Sequence, residues 1–265
     1  MNHDTLSALI LGALEGLTEF LPVSSTGHLI LAGDLLGFQN ELGKLFEIVI
    51  QLGAILAVVV FSLPRLWKIM EGLPGDPSSR RFVFLIIIAF LPAAALGAMF
   101  HEFIKTVLFS PWVVVTTLII GGVAILVLEP SAPTPRYRII EDLTFTTAIA
   151  IGFCQAAALI PGVSRAGATI LGAELLGVDR RTATEFSFYL AIPTMLAATI
   201  FDLWKNRALL TASGTHLIAI GFITAFIVAI PIVRGLIGFV GRHGLRPFAW
   251  YRIVLGVGWA VWLLY

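Results

Sequence analysis

Apolar runs recur along this chain at residues 45–63, 82–100, 110–128, 184–203, 217–238 and 248–265. Each approaches or meets the roughly 17 to 25 residues that a helix needs to cross a bilayer. Only 12% of the 265 residues are charged and 58% are hydrophobic, with a mean hydropathy of +0.96. A water-facing domain usually carries about a quarter charged residues. The chain therefore has too little polar surface for water, and lipid is its expected solvent. A net charge of +1 gives no basic patch for nucleic acid, and the single cysteine, Cys154, excludes an internal disulfide or thiolate cluster. Met1 to Ser7 carries Asp4 but no Lys or Arg. A cleavable signal begins with positive charge, so the first apolar run is expected to be retained.

Two further apolar regions are interrupted. Leu6 to Leu36 is broken at Pro22, Ser24, Ser25, Thr26 and Gly27, and Thr147 to Leu176 at Pro161, Gly162, Ser164, Arg165 and Gly167. Each half is short for a full crossing, so each region is predicted to be a re-entrant helix–loop–helix. The two breaks are related. Shifting the sequence by 140 places Gly12 on Gly152, Ser24 on Ser164, Gly27 on Gly167, Phe46 on Phe186, Phe61 on Phe201 and Phe82 on Phe222, without a gap. Shared Gly, Ser and Phe in one register indicate duplication.

The predicted fold is an all-α polytopic membrane protein of two inverted repeats, each a re-entrant pair plus three transmembrane helices. Repeat one covers about 1–129, a polar linker about 130–146 and repeat two about 147–265, in a single membrane domain. One loop face would carry Arg65, Lys68, Arg80, Arg81, Arg136, Arg138, Arg180, Arg181, Arg242 and Arg246; the other has Lys44, Lys105, Lys205 and Arg207. The positive-inside rule makes the first face cytoplasmic, with both termini outside.

Chemistry-bearing residues gather at the breaks. Glu15 and Glu19 lie four apart, on one face of a helix. Two acids in lipid are costly unless a metal, a cation or a proton joins them, and hard oxygen ligands suit Mg²⁺ or Ca²⁺. Ser24, Ser25 and Thr26 follow Pro22, and three hydroxyls exceed what one helix cap needs. A helix start also offers free N–H groups to an anion. His28, one turn on, reads as a general acid or base. In the second break Ser164 precedes Arg165, whose guanidinium beside a helix start suits phosphate.

The shift sets Glu15 against Gln155, Glu19 against Leu159, Ser25 against Arg165 and His28 against Ala168. One copy keeps acids, hydroxyls and imidazole, and the other a cation. If the two loops meet, they form one composite site suited to phosphoryl transfer from an amphipathic phosphate ester. Asp34 and Glu174, repeat partners, are expected at interfaces. Glu47 and Glu185 are expected in helix first turns, reach to the site being only the lesser reading for Glu47, and Gly72 to Ser79 as a solvated turn.

At these residues the chain resembles the undecaprenyl-diphosphate phosphatase, or bacitracin-resistance, family. The carriers are EGLTEFLPVSSTGH at 15–28, PGVSRAGAT at 161–169, FEIVIQLGAILAVV at 46–59 and EFSFYLAIP at 185–193. The similarity runs essentially the whole chain. The family's second motif usually has a serine where Ala166 stands, which removes one auxiliary hydroxyl. The resemblance implies hydrolysis of undecaprenyl diphosphate to the monophosphate carrier, which is recycled for peptidoglycan and confers bacitracin resistance. It also implies a divalent cation and a site opening to the periplasmic side of the bacterial inner membrane.

Carried over, Glu15 and Glu19 form the acidic, metal-holding motif, Ser25 is the nucleophile, His28 the acid/base and Arg165 the phosphate clamp, with Ser24, Thr26 and Ser164 as further phosphate ligands. Attack by His28 or by metal-bound water stays open, as does a homodimer. The rival reading is a lipid-phosphate transporter or flippase, since inverted repeats with broken helices are that class's hallmark.

Overall fold

The computed structural model describes residues 3–38, 41–205 and 212–265, with the side chains of 41–45 and 212–213 excepted. The helices in chain order are α1 His3–Thr18, α2 Ser25–Leu35, α3 Glu41–Gly72, α4 Pro77–Met99, α5 His101–Phe103, α6 Pro111–Leu128, α7 Phe145–Ala157, α8 Arg165–Leu175, α9 Arg180–Lys205, α10 Ala212–His243 and α11 Arg246–Leu264. A π-helical turn, Ile104–Leu108, follows α5, and short 3-10 turns lie at Glu129–Ser131 and Ile140–Asp142. Among the described residues the extended pairing is one isolated bridge, Tyr137 with Val178.

Six helices are long and apolar enough to cross a membrane: α3, α4, α6, α9, α10 and α11. They coincide with the six apolar runs, although α3 and α10 extend well past the runs' ends. Helix α3 continues through Pro64 to Gly72, whereas the sequence places a loop from residue 64. Proline removes one backbone hydrogen bond, which neighbouring packing tolerates in a membrane helix. The turn is correspondingly short. Asp76 caps α4 by accepting from the backbone N–H groups of Ser78 and Ser79, and from the Ser79 hydroxyl at 2.6 Å.

Both interrupted regions are broken helices. Helices α1 and α2 have 16 and 11 residues, and α7 and α8 have 13 and 11. At ~1.5 Å per residue none spans a hydrocarbon core of ~30 Å. The second helix of each pair starts in the same way. Ser24 and Ser164 sit at φ of 70° and 74°, and each hydroxyl accepts the N–H three residues on, Gly27 at 3.3 Å and Gly167 at 3.1 Å. They are the non-glycine residues with positive φ among those described. Such conformations persist where the surroundings impose them, often at functional sites.

The broken helices pack against spans distant in sequence, α1 along α10 and α7 along α4. Small residues let the backbones meet. A Cβ on Gly12 would lie 2.5 Å from the Gly221 carbonyl oxygen, and one on Gly152 only 2.3 Å from that of Ala89. Lipid tails are as apolar as leucine, so this close packing, rather than expulsion of water, holds the helices together.

Polar contacts join the loops at one end of the bundle. Arg65 bridges Glu141 at 3.0 Å and Glu185 at 3.2 Å, and Arg180 bridges Glu129 at 3.0 Å and Glu174 at 3.2 Å. The Leu245 backbone N–H, donating to Glu129 at 2.8 Å, adds the segment between α10 and α11 to the same cluster, so the four segments meet as their sequence positions suggest. Asp202, near the far end of α9, pairs with Lys105 at 3.1 Å and His101 at 3.2 Å. Lys44's side chain and Arg207, expected on this second face, lie outside the described residues. The acids Asp34 and Glu174 do not behave alike: Asp34 is exposed, whereas Glu174 is buried against Arg180.

Candidate active site

A cavity of about 800 Å³ lies where the two breaks face each other. Ser24, Ser25, Thr26 and Glu19 line it from the first break, and Ser164 and Arg165 from the second. Its apolar wall includes Phe90, Ala93, Ala94 and Gly97 of α4. It reaches the rim formed by His101, Lys105 and Asp202, away from the arginine-rich loops.

At its centre is one carboxylate with two partners. The Ser25 hydroxyl donates to Oε2 of Glu19, and Nη2 of Arg165 donates to Oε1 at 3.1 Å. Glu19 sits just past the end of α1, Ser25 opens α2 and Arg165 opens α8. The contact therefore joins residues 146 positions apart, one from each break. Arg165 is held on its other side by Ser187, donating to its carbonyl at 2.9 Å and its hydroxyl at 3.3 Å, and it lies 5.8 Å from the centre of the Phe20 ring. Ser187 is itself bonded to Thr169 at 2.7 Å. The guanidinium is thus fixed before any ligand arrives, and the first turns of α2 and α8 add N–H groups suited to an anion.

Glu15 lies one turn before Glu19 and is fully buried, and apart from the neighbouring Glu19 carboxyl its oxygens have no hydrogen-bond partner among the described residues. Glu19, Glu47 and Arg165 are close enough to act on it electrostatically. An ionised carboxylate without partners is costly to bury. These orphaned oxygens fit a bound cation in chemistry. Among the described residues, though, no three His, Cys, Asp or Glu side chains form a metal cage, so further oxygen ligands would have to come from elsewhere.

His28 stands to one side and does not line the cavity. Its Nδ1–H donates to the Ser24 carbonyl at 2.7 Å, leaving Nε2 to accept from the Tyr251 hydroxyl at 2.8 Å. The two rings stack with centroids 5.6 Å apart. The structure therefore gathers Glu19, Ser24, Ser25, Thr26, Ser164 and Arg165 at one cavity, with Glu15 behind it and His28 beside it.

Sequence reasoning missed Ser187 and Arg252 and underrated Glu47, which lines the cavity from the second turn of α3. An acid inside an apolar run was the available signal for Glu47. Arg252, 1% exposed within the apolar α11, carried the same signal. Ser187 had none, since a lone hydroxyl in a helix is commonplace. Gln155, set against Glu15 by the repeat, also lines the cavity, and its Nε2 is buried without a partner among the described residues.

The family described as bacitracin resistance protein BacA matches residues 8–258. The chain is 54% identical over 259 residues to undecaprenyl-diphosphatase 2 of Paramagnetospirillum magneticum, covering 98% of this chain and 99% of that one. It is 51% identical over 258 residues to the undecaprenyl-diphosphatase of Paracoccus denitrificans, covering 97% and 96%. With the undecaprenyl-diphosphatase of Sphingopyxis alaskensis it shares 52% over 262 residues, 98% of each.

Proposed function

Because the chain belongs to the bacitracin resistance protein BacA family, we propose that it hydrolyses undecaprenyl diphosphate to undecaprenyl phosphate and inorganic phosphate. The observation that carries the reading is the Ser25–Glu19–Arg165 contact, a hydroxyl with a proton acceptor beside a fixed cation. Ser25 Oγ attacks the terminal phosphorus while its proton passes to Glu19. The bond from that phosphorus to the bridging oxygen breaks, and undecaprenyl phosphate leaves. Water then attacks the phosphoserine phosphorus as its bond to Ser25 Oγ breaks; Glu19 returns its proton to Oγ, the water's proton goes to a phosphate oxygen, and inorganic phosphate departs. Arg165 and the helix starts at Ser24–Thr26 and Ser164 neutralise the phosphoryl oxygens as charge develops.

Ser25 has its nearest proton acceptor in Glu19. His28 would take the proton only after its Tyr251 contact opens, and until then it steadies the Ser24 carbonyl. Glu15, its oxygens unengaged apart from the Glu19 carboxyl, would hold Mg²⁺ or Ca²⁺, joined by Glu19 through lone pairs that its Ser25 and Arg165 contacts leave, and the bound cation would supply positive charge to the diphosphate.

The matched lengths and strained caps of α2 and α8 support reading α1–α6 and α7–α11 as inverted repeats with re-entrant pairs. The arginine-rich face is assigned to the cytoplasm, so the cavity and both termini face the periplasm. The product then re-enters peptidoglycan synthesis, which supports cell shape and bacitracin resistance. All the catalytic groups come from one chain, so a homodimer would pair two complete sites.

A transporter would need anion binding but no nucleophile. Phosphate release from undecaprenyl diphosphate by the purified protein in detergent, with no second compartment, separates the two. Release that disappears in Ser25→Ala is expected. No release by the wild type, or full release by that variant, contradicts the reading.

A further inference from the structure

Arg252 lies outside the cavity lining, is 1% exposed, and has no acidic partner among the described residues. Its guanidinium instead donates to backbone carbonyls on three segments. Nη1 reaches Pro22 at 3.4 Å and Val163 at 2.9 Å, and Nη2 reaches Gly162 at 2.9 Å and Thr117 at 3.1 Å. Pro22 belongs to the first break, Gly162 and Val163 to the second, and Thr117 to α6. Thr117 adds a clasp of its own, its hydroxyl donating to the Pro161 carbonyl at 2.6 Å.

A broken helix inside a membrane leaves carbonyls without partners, and only protein groups can satisfy them. A planar fork of N–H donors can serve several carbonyls at once, whereas an ammonium is a compact point charge on a flexible stem. Glycines make room for the fork. At Gly121 the three atoms nearest an added Cβ all belong to this guanidinium, at 2.0 to 3.3 Å, and at Gly167 the nearest is its Nη1 at 3.2 Å.

From this geometry we infer that Arg252 is a positioning residue: one buried cation latches the two broken turns together and sets the register of Ser25 and Glu19 against Arg165. The turns it holds lead directly into Ser24 and Ser164, the two strained caps. It touches neither the cavity nor, on this reading, the substrate. Misplacing reacting groups by about 1 Å costs on the order of 10²-fold in rate, so its loss is expected to appear in kcat and not in KM.

The inference rests on the proposed hydrolysis, so wild-type phosphate release is measured first, and its absence would count against that proposal alone. Arg252→Gln, Arg252→Lys and Gly121→Ala are then assayed on undecaprenyl diphosphate in detergent, with thermal unfolding of each. The expected result is a kcat lowered about 10²-fold in both Arg252 variants, with KM within about threefold and little recovery in the lysine variant. Gly121→Ala keeps the charge but pushes the guanidinium aside, so about a tenfold fall in kcat is expected. Gly258→Ala, where an added Cβ meets nothing within 4 Å, serves as the unaffected control. A folded Arg252→Gln with wild-type kcat, or with a raised KM and unchanged kcat, overturns the inference. Should the Arg252 variants not fold, Gly121→Ala decides, and a wild-type kcat there overturns it.

Discussion

The broken pair α1–α2 and the broken pair α7–α8 share a frame and differ in cargo. Both second helices have 11 residues, both begin from a serine cap at positive φ, and both are followed by a positive-φ glycine, Gly37 and Gly177. Against that common backbone, Glu15 faces Gln155, Ser25 faces Arg165 and His28 faces Ala168 in register. The first pair carries the hydroxyl proposed to attack and the acids, and the second carries the cation. The difference shows that one frame, a serine-capped helix start opening on the cavity, can present two different sets of side chains, and the proposed chemistry draws on both. The Ser25 hydroxyl and the Arg165 guanidinium that meet on Glu19 come from different halves.

The largest expected effects come from emptying either half. Ser25→Ala should abolish measurable turnover, a loss of at least about 10³-fold, because among the described residues no other cavity hydroxyl is bonded to Glu19. Arg165→Ala should lower kcat by about 10²- to 10³-fold, the usual scale for removing one preorganised oxyanion partner. Phosphate release from undecaprenyl diphosphate reads both, and near-wild-type turnover in either would break the division of labour.

Making the halves alike at their acid/amide position should cost less. Glu15→Gln is expected to reduce kcat by roughly 10- to 100-fold and to flatten its dependence on added Mg²⁺ or Ca²⁺. Titration with the cation after chelation checks this, and an unchanged cation response would separate Glu15 from metal binding.

The caps test the shared frame. Ser24→Ala and Ser164→Ala each remove a bonded hydroxyl while keeping a Cβ at positive φ, so each should destabilise by roughly 1–2 kcal/mol. The two losses should be similar, whereas activity should suffer more at Ser24, beside the nucleophile. Replacement by glycine, which accepts that φ, should cost only a few tenths of a kcal/mol.

The smallest effect lies outside the membrane. Hydrogen bonds from the Ser79 hydroxyl and from the Ser79 and Ser78 backbone hold the Asp76 carboxyl below its ordinary range. A carboxyl lowered on folding contributes stability above its unfolded pKa and loses it as pH falls through the folded value. Asp76→Asn should therefore be slightly less stable than wild type at neutral pH, with the gap closing in strong acid. Thermal unfolding at both pH values reads it.

Much of this was legible in the residues. Apolar length located the six spans, and Pro22 and Pro161 marked both breaks. The 140-residue register exposed the contrast between Ser25 and Arg165 before any geometry was known. Three things were not legible. Pro64 reads as a helix end, yet neighbouring helices carry α3 past it. His28 reads as part of the cavity because it is one turn from Ser25, yet that turn rotates it toward Tyr251, 223 residues away. Arg252 reads as one charge in an apolar run, and its meaning depends on carbonyls from Pro22 to Val163 that only tertiary structure brings together. Local periodicity carries no information about such distant partners.

Glu19 from one half and Arg165 from the other are expected to act as a unit during turnover. A double-mutant cycle on kcat/KM with Glu19→Gln and Arg165→Lys reads their coupling. Each single change is expected to lower kcat/KM by about 10²- to 10³-fold, and the double variant to fall no more than about tenfold below the weaker single, because groups that act together are strongly non-additive. Losses that simply multiply, to about 10⁴- to 10⁶-fold according to the singles, would show two independent contributions and contradict a site assembled from two halves.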